Sequence, residues 1–422
     1  MNEPPRCDTE SADAVGRDPA AASVAGELRT TARAGDLSAR LLRGAAEIAD
    51  VDAFHRRHQW HAESHAELLR ASLLAGRAAE PVRLAVERDG VPVLLVVAQV
   101  VEALVPWRVG YGTLGSSRAR VLEILRGGIL GDESQENIDL ACDRLRSAMR
   151  ELRVDAIAVR HVAEGSSAHL SFARRPNWLC RDRLAVVTQN WQMTVPADYA
   201  AFLAAQPRRE REDNRRYERR IRQQFGDRVE VERVQRVDDV ERVAAAVESI
   251  ARKTYQRGLG AGFRDTAEER ARWRTGVEGG FLVVHLLRFG GEPVAFATGY
   301  EVGGTLWLEH LGYDPAFRRL RPGFFLLLRL IEEAAAGGAV RTIDFGIGDA
   351  DYKRRLCDAR RVEVSVWVFA PTLRGLWLNA VRASSHSLYR LGHAVLGRLG
   401  LLQWFKRRWR RALQSPDEAE GR

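Results

Sequence analysis

Two short stretches of the chain hold residue types that could do chemistry. The first, "YDPAFRRLRPGFFLLLRLI" (residues 313–331), gathers Arg318, Arg319 and Arg321 into a turn and follows them with Pro322-Gly323. It then opens an almost wholly apolar helix that no Ser, Thr, Asp or Asn caps. The first four N–H groups of a helix have no partner inside it, and the helix dipole adds about half a positive charge there. Pro322 pre-forms the first helical position and Gly323 removes the side chain that would hold a ligand off the backbone. With the arginines adding charge, the turn is suited to a pyrophosphate; the alternative is a surface turn whose N–H groups meet water. The second stretch, "DFGIGDADYK" (344–353), ends a strand at Gly346 and Gly348 and releases the chain into a loop bearing Asp349, Asp351, Tyr352 and Lys353. Just before the arginine turn, Glu309 and His310 are neighbours on a strand, where adjacent side chains point to opposite faces. One of them is therefore expected on the side of the anion-binding turn, and Glu309 is a candidate general base for an amine or hydroxyl. A merely solvated carboxylate is the alternative.

These residues need elements that bring them together. "FLVVHLLRF" (281–289), "EPVAFATGYE" (292–301) and "TLWLEHLGYD" (305–314) read as strands separated by Gly290-Gly291 and Gly303-Gly304, a meander that leads into the arginine turn. A helix from Pro322 and a strand "VRTIDFG" (340–346) follow. The first half shows a similar plan: two apolar runs joined at Asp89-Gly90, a strong hairpin signal, then a helical period over 136–153 and a strand over 154–162. The pattern predicts a leader over 1–37, an N-terminal domain over 38–195, a C-terminal domain over 196–371 and a basic amphipathic tail over 372–422.

The meander, the turn, the helix and the following strand resemble the acyl-CoA-binding core of the GNAT acetyltransferases. The signature Q/R-x-x-G-x-G/A is met only in part, since Arg318 to Arg321 supplies charge and Gly323 one glycine, whereas Phe325 stands where a second small residue belongs. Tyr313-Asp314-Pro315, Pro322-Gly323 and "DFGIGDADYK" together resemble the CelD-like branch, associated with bacterial cellulose and exopolysaccharide production and similar to the Fem-type peptidyltransferases. That resemblance covers about residues 196–370. It implies an α/β fold of tandem GNAT-like (acyl-CoA N-acyltransferase) domains with mixed, mainly antiparallel sheets. It also implies an acetyl-CoA or other acyl-CoA donor held by Leu311, Tyr313, Arg318, Arg319, Arg321 and Gly323. Tyr352 would protonate the departing thiolate, Lys353 would steady an oxyanion or an acceptor phosphate, and Glu309 would serve as base. The acceptor is expected to be a small molecule or glycan precursor, and no metal is expected.

Composition sets the outer limits. The chain has 422 residues, 45% of them hydrophobic, enough for two domains. The best candidate for a membrane span, 91–107, is interrupted by Gln99, Glu102 and Pro106 and falls short of one. Four separated cysteines suggest neither a disulfide framework nor a cysteine zinc site and fit a reducing cytoplasm. A formal charge of +9 calls for an anionic partner. Of 65 basic residues only Lys253, Lys353 and Lys406 are lysine. The segment "RREREDNRRYERRIRQQFG" (208–226) mixes signs at helical spacing, as a solvated face does, or places a few arginines beside an anionic acceptor. Its limited aromatic content disfavours nucleic acid. "FHRRHQWHAESH" (54–65) holds four histidines, read as a surface face in preference to a metal site. The tail, with Leu, Trp and "KRRWRR", fits either weak contact with anionic membranes at the inner face or packing on the C-terminal domain. A non-catalytic scaffold in an exopolysaccharide complex and a nucleic-acid binder are the competing functional classes.

Overall fold

Glycine-marked turns and apolar runs close into one twelve-stranded sheet. The computed structural model describes residues 36–383 apart from 110–111, 255–256, 258–261 and 349; residues 1–35 of the expected leader and 384–422 of the expected tail lie outside the described residues. The first half runs β1 (Leu37–Leu42), α1 (Ala45–Ala49), α2 (Asp52–His58), a 3-10 turn (Ala62–Ser64) and α3 (Ala66–Leu74). It continues with β2 (Glu80–Arg88), β3 (Val91–Val109), β4 (Gly112–Gly131), α4 (Gln135–Ala148), β5 (Ala156–Ala163) and α5 (Ser167–Arg174). β6 (Val186–Thr194) closes it, and the second runs α6 (Tyr199–Ala205), α7 (Arg208–Phe225), β7 (Val229–Arg233), α8 (Val240–Ala251) and α9 (Ala267–Glu278). Then come β8 (Leu282–Phe289), β9 (Glu292–Val302), β10 (Thr305–Tyr313), a further 3-10 turn (Pro315–Leu320), α10 (Pro322–Gly337), β11 (Thr342–Ile347), α11 (Asp351–Leu356) and β12 (Ala359–Phe369).

The strand order is β1-β2-β3-β4-β5-β12-β6-β11-β10-β9-β8-β7. Each half repeats one plan: an antiparallel meander (β2-β3-β4; β8-β9-β10), a helix (α4; α10), then a strand parallel to the third of the meander (β5; β11). The fold is thus a tandem GNAT-like α/β arrangement on a mixed, mainly antiparallel sheet. Asp89 and Gly90, both at positive φ, make the β2–β3 turn. The apolar stretch 91–107 lies within β3. The proposed boundary between residues 195 and 196 falls just after β6. Two strands knit the halves across it, since β12 pairs with β5 on one side and β6 on the other, and β6 pairs onward with β11.

Helices bury the stripes their periodicity predicts. Ile138, Ala141, Leu145 and Ala148 of α4 enter the core of the first half, Val240, Val243, Val247 and Ile250 of α8 cover one face of the second, and Leu326, Leu327, Leu330 and Ile331 of α10 cover the other.

The histidine segment corrects the surface reading. α2 stops at His58, Gln59 turns extended, and the chain re-enters as a 3-10 turn whose first N–H groups are capped by His61 Nδ1, which accepts from Glu63 N–H at 3.0 Å. Broken this way, the segment turns His55, His61 and His65 inward, with 1%, 3% and 6% of their surface exposed. His55 Nε2 pairs with Ser64 O at 2.7 Å and the His61 ring lies 4.1 Å from Trp307.

Candidate active site

β10 and β11 are parallel neighbours that pair only from Thr305–Thr342 to Trp307–Asp344. Beyond that point β10 stays with β9 as far as Tyr313, while β11 stays with β6 as far as Ile347. The strands diverge, and the gap they leave, walled by α7, α10 and α11, is a cleft of about 590 Å³. Leu311, Tyr313, Arg321, Gly323, Tyr352 and Lys353 all line it, so the fold joins the two sequence stretches. Arg318 and Arg319 are exposed on the preceding 3-10 turn and form no part of its wall.

The helix end left open in the sequence is open in space. Arg321 occupies the left-handed region (φ 51°, ψ 49°) and caps α10 with no side-chain hydrogen bond. Its carbonyl accepts from Phe324 N–H and Phe325 N–H, both at 3.1 Å, which leaves the Gly323 N–H without a protein acceptor among the described residues. A side chain at Gly323 would crowd Tyr313, whose Cδ1 lies 3.1 Å from the position of a Cβ. The Arg321 guanidinium stacks over the Tyr217 ring at 4.6 Å, between this cleft and a neighbouring groove under α6 and α7 that Arg211 and Arg215 line.

Both lysines of the described chain brace the loops that frame the cleft. Lys253 Nζ lies 2.6 Å from Asp314 Oδ2, and Asp314 Oδ1 accepts the Ala316 N–H at 2.9 Å. Burial pushes the Asp314 carboxyl up, but the Lys253 ammonium and the Ala316 N–H outweigh it and hold the group below its ordinary range. Lys353 is buried, and its Nζ donates to Gly346 O at 3.1 Å and Ile347 O at 3.0 Å. The expected direct contact with an acceptor must therefore share an ammonium already committed to main-chain carbonyls. Asp344, to which sequence reasoning gave no role, is buried and accepts from Asn190 Nδ2 (2.5 Å), Gln192 Nε2 (2.9 Å) and Gly346 N–H (2.7 Å). It fixes the turn at which β11 leaves the sheet. Tyr352 is half-buried on α11, with its ring 6.1 Å from that of Phe345.

Glu309 lies apart from these groups. The β9–β10 register slips between Leu308 and His310, a bulge with Glu309 as the extra residue. The bulge cancels the alternation expected from sequence, so Glu309 and His310 both turn toward the α8–α9 side: Glu309 Oε1 pairs with Arg272 Nη2 at 2.7 Å, and His310 meets Phe263 edge-on. From α7, Glu210, Asp213 and Asn214 face the cleft rather than arginines, while Arg208, Arg216 and Arg222 are held in local pairs with Glu212, Asp213 and Glu218. Among the described residues no group of His, Cys, Asp and Glu is placed to hold a metal ion.

Residues 208–354 match the family profile of the acetyltransferase (GNAT) domain, so this part of the chain is a GNAT acetyltransferase domain. Among solved structures the chain is similar to FemX at 12% identity, over 78% of this chain and 97% of that one, with a TM-score of 0.54, a likeness of fold. It also resembles a tandem GNAT protein from the clavulanic acid biosynthesis pathway (11% identity, 79% and 99% of the two chains, TM-score 0.46) and L-PGS from Bacillus licheniformis (12%, 81% and 95%, 0.46), with scores too low to add to that. No curated protein matches the chain. None of these matches bears on the CelD-like branch.

Proposed function

We propose that the protein transfers an acyl group from acyl-CoA to an amine or hydroxyl of a sugar or other cell-envelope precursor, with the donor in the cleft between β10 and β11. The observation that carries this reading is the open end of α10: among the described residues the Gly323 N–H has no acceptor and no side chain caps the helix, and Arg321 stands at the rim. These residues fit a diphosphate, since backbone donors and the helix dipole both favour an anion there. Leu311, Tyr313, Phe324 and Leu327 would take the pantetheine and acyl portion. The acceptor attacks the thioester carbonyl, the carbon–sulfur bond breaks, and the Tyr352 hydroxyl gives its proton to the departing sulfur. Glu210 and Asp213, the carboxylates that α7 turns toward the cleft, are better placed than Glu309 to take up the acceptor's proton. Calorimetric titration with acetyl-CoA and CoA tests the reading: saturable binding supports it, and no binding by the intact protein overturns it. Weak contact of the C-terminal tail with anionic membranes belongs to the same proposal and is checked by co-sedimentation with phosphatidylglycerol vesicles at low salt. Among the described residues no helix is long and apolar enough to cross a membrane.

A further inference from the structure

A groove of about 370 Å³ runs along α10, walled by α6 and α7. That is within the range of about 300–1,000 Å³ for pockets that hold small molecules. Asn214, Arg321 and Phe324 line both this groove and the donor cleft, so the two join at the open end of α10. The groove differs in charge along its length. At the junction stand Arg321 and, within a turn of Asn214 on α7, Arg211 and Arg215. Arg211 Nη1 donates to Ala204 O at 3.1 Å and Arg321 stacks on Tyr217, whereas Arg215 has no side-chain hydrogen bond or ion pair; none of the three has a carboxylate partner among the described residues. Farther along, the charges are matched, since Arg329 is shared between Glu218 at 2.7 Å and Glu332 at 2.6 Å. Tyr199 and Leu203 from α6 and Phe325 and Leu328 from α10 add apolar wall that the fold leaves only half-buried.

We propose that this groove binds the adenosine 3′-phosphate of the donor, with Arg211 and Arg215 on the phosphate and Tyr199, Leu203, Phe325 and Leu328 against the adenine. The inference rests on the acyl-CoA reading above and adds the part of the donor to which that reading gives no place. The diphosphate is the middle of a CoA: pantetheine extends from one side of it and the nucleotide from the other. With pantetheine in the cleft and the diphosphate at the open end of α10, the nucleotide leaves on the far side of Arg321, where the groove opens. The chemistry of the wall suits it, since guanidiniums are paired donors for a phosphate monoester and a planar base stacks on aromatic faces. α6 precedes residues 208–354, which match the GNAT profile, so this wall is built in part from outside the matched domain. The groove therefore favours an acyl group carried on CoA over the same group on a phosphopantetheine that lacks the nucleotide.

Calorimetry of the full chain with CoA, 3′-dephospho-CoA and 4′-phosphopantetheine tests this. Dephospho-CoA is expected to bind about tenfold more weakly than CoA, the worth of one charge-assisted contact, and phosphopantetheine more weakly again. Arg215→Ala, at an exposed position, should bring CoA down to the affinity of dephospho-CoA and leave dephospho-CoA unchanged. Leu328→Glu should weaken CoA and dephospho-CoA and leave phosphopantetheine unchanged. Equal binding of CoA and dephospho-CoA by the wild type overturns the groove assignment while the acyl-CoA reading stands. So does an Arg215→Ala protein that loses as much affinity for dephospho-CoA as for CoA. If none of the three ligands binds, the acyl-CoA reading falls and the groove assignment with it.

Discussion

Replacing Lys353 by Met retains an unbranched stem of similar length and removes only the ammonium. Nζ donates to Gly346 O and Ile347 O at 3.1 and 3.0 Å, the carbonyls just beyond the point where β11 parts from β10. Hydrogen bonds from a charged donor contribute about 1.5–3 kcal/mol each, so the gross loss is about 3–6 kcal/mol. Part of that is offset because a buried ammonium no longer has to be desolvated, a term of a few kcal/mol. The expected net destabilisation is about 2 kcal/mol. Urea unfolding followed by tryptophan fluorescence reads it as a lower midpoint at unchanged slope. Lys353→Arg should not rescue the midpoint, since a planar fork does not replace a compact point charge between two carbonyls. A Lys353→Met protein with the wild-type midpoint and no turnover would refute this reasoning and place the ammonium in the chemistry instead of the loop.

Arg321→Glu and Gly323→Val should each weaken acyl-CoA binding about tenfold or more, the first by opposing charge at the helix end and the second by closing the approach to the backbone, with circular dichroism unchanged. Tyr352→Phe should lower kcat by about a hundredfold with little change in the Kd for acyl-CoA; equal turnover would leave Tyr352 a packing residue. The Glu269 carboxyl is raised to about 7, chiefly by burial, so between pH 4.5 and 7 the folded protein keeps a proton that the unfolded chain has lost. Stability should therefore fall as pH rises through that window, and Glu269→Gln should flatten the decline in midpoint; an unchanged slope would show that this group is not the source.

Local signals carried much of the scaffold. Asp89-Gly90, Gly290-Gly291 and Gly303-Gly304 mark turns whose positive φ few other residues tolerate, and the apolar periods of α8 and α10 fix which faces are buried. The missing cap at Arg321 was legible for the same reason, since an N-terminus is satisfied or left open by residues within a turn of it. What depends on contacts between distant segments was not legible. The bulge that turns Glu309 to Arg272 arises from register against β9, and the inward turn of His55, His61 and His65 depends on where α2 breaks. The exchange of β6 and β12 across the halves has no short-range signature, because strands that read alike can pair with several neighbours. The rarity of lysine singled out Lys253 and Lys353, yet only the fold shows that they brace Asp314 and the Gly346 turn. The buried ion pair of Arg126 with Glu363 is the extreme case, its partners lying 237 residues apart. A pair of that kind exists only once the chain has closed around it, so no window of sequence could have displayed it.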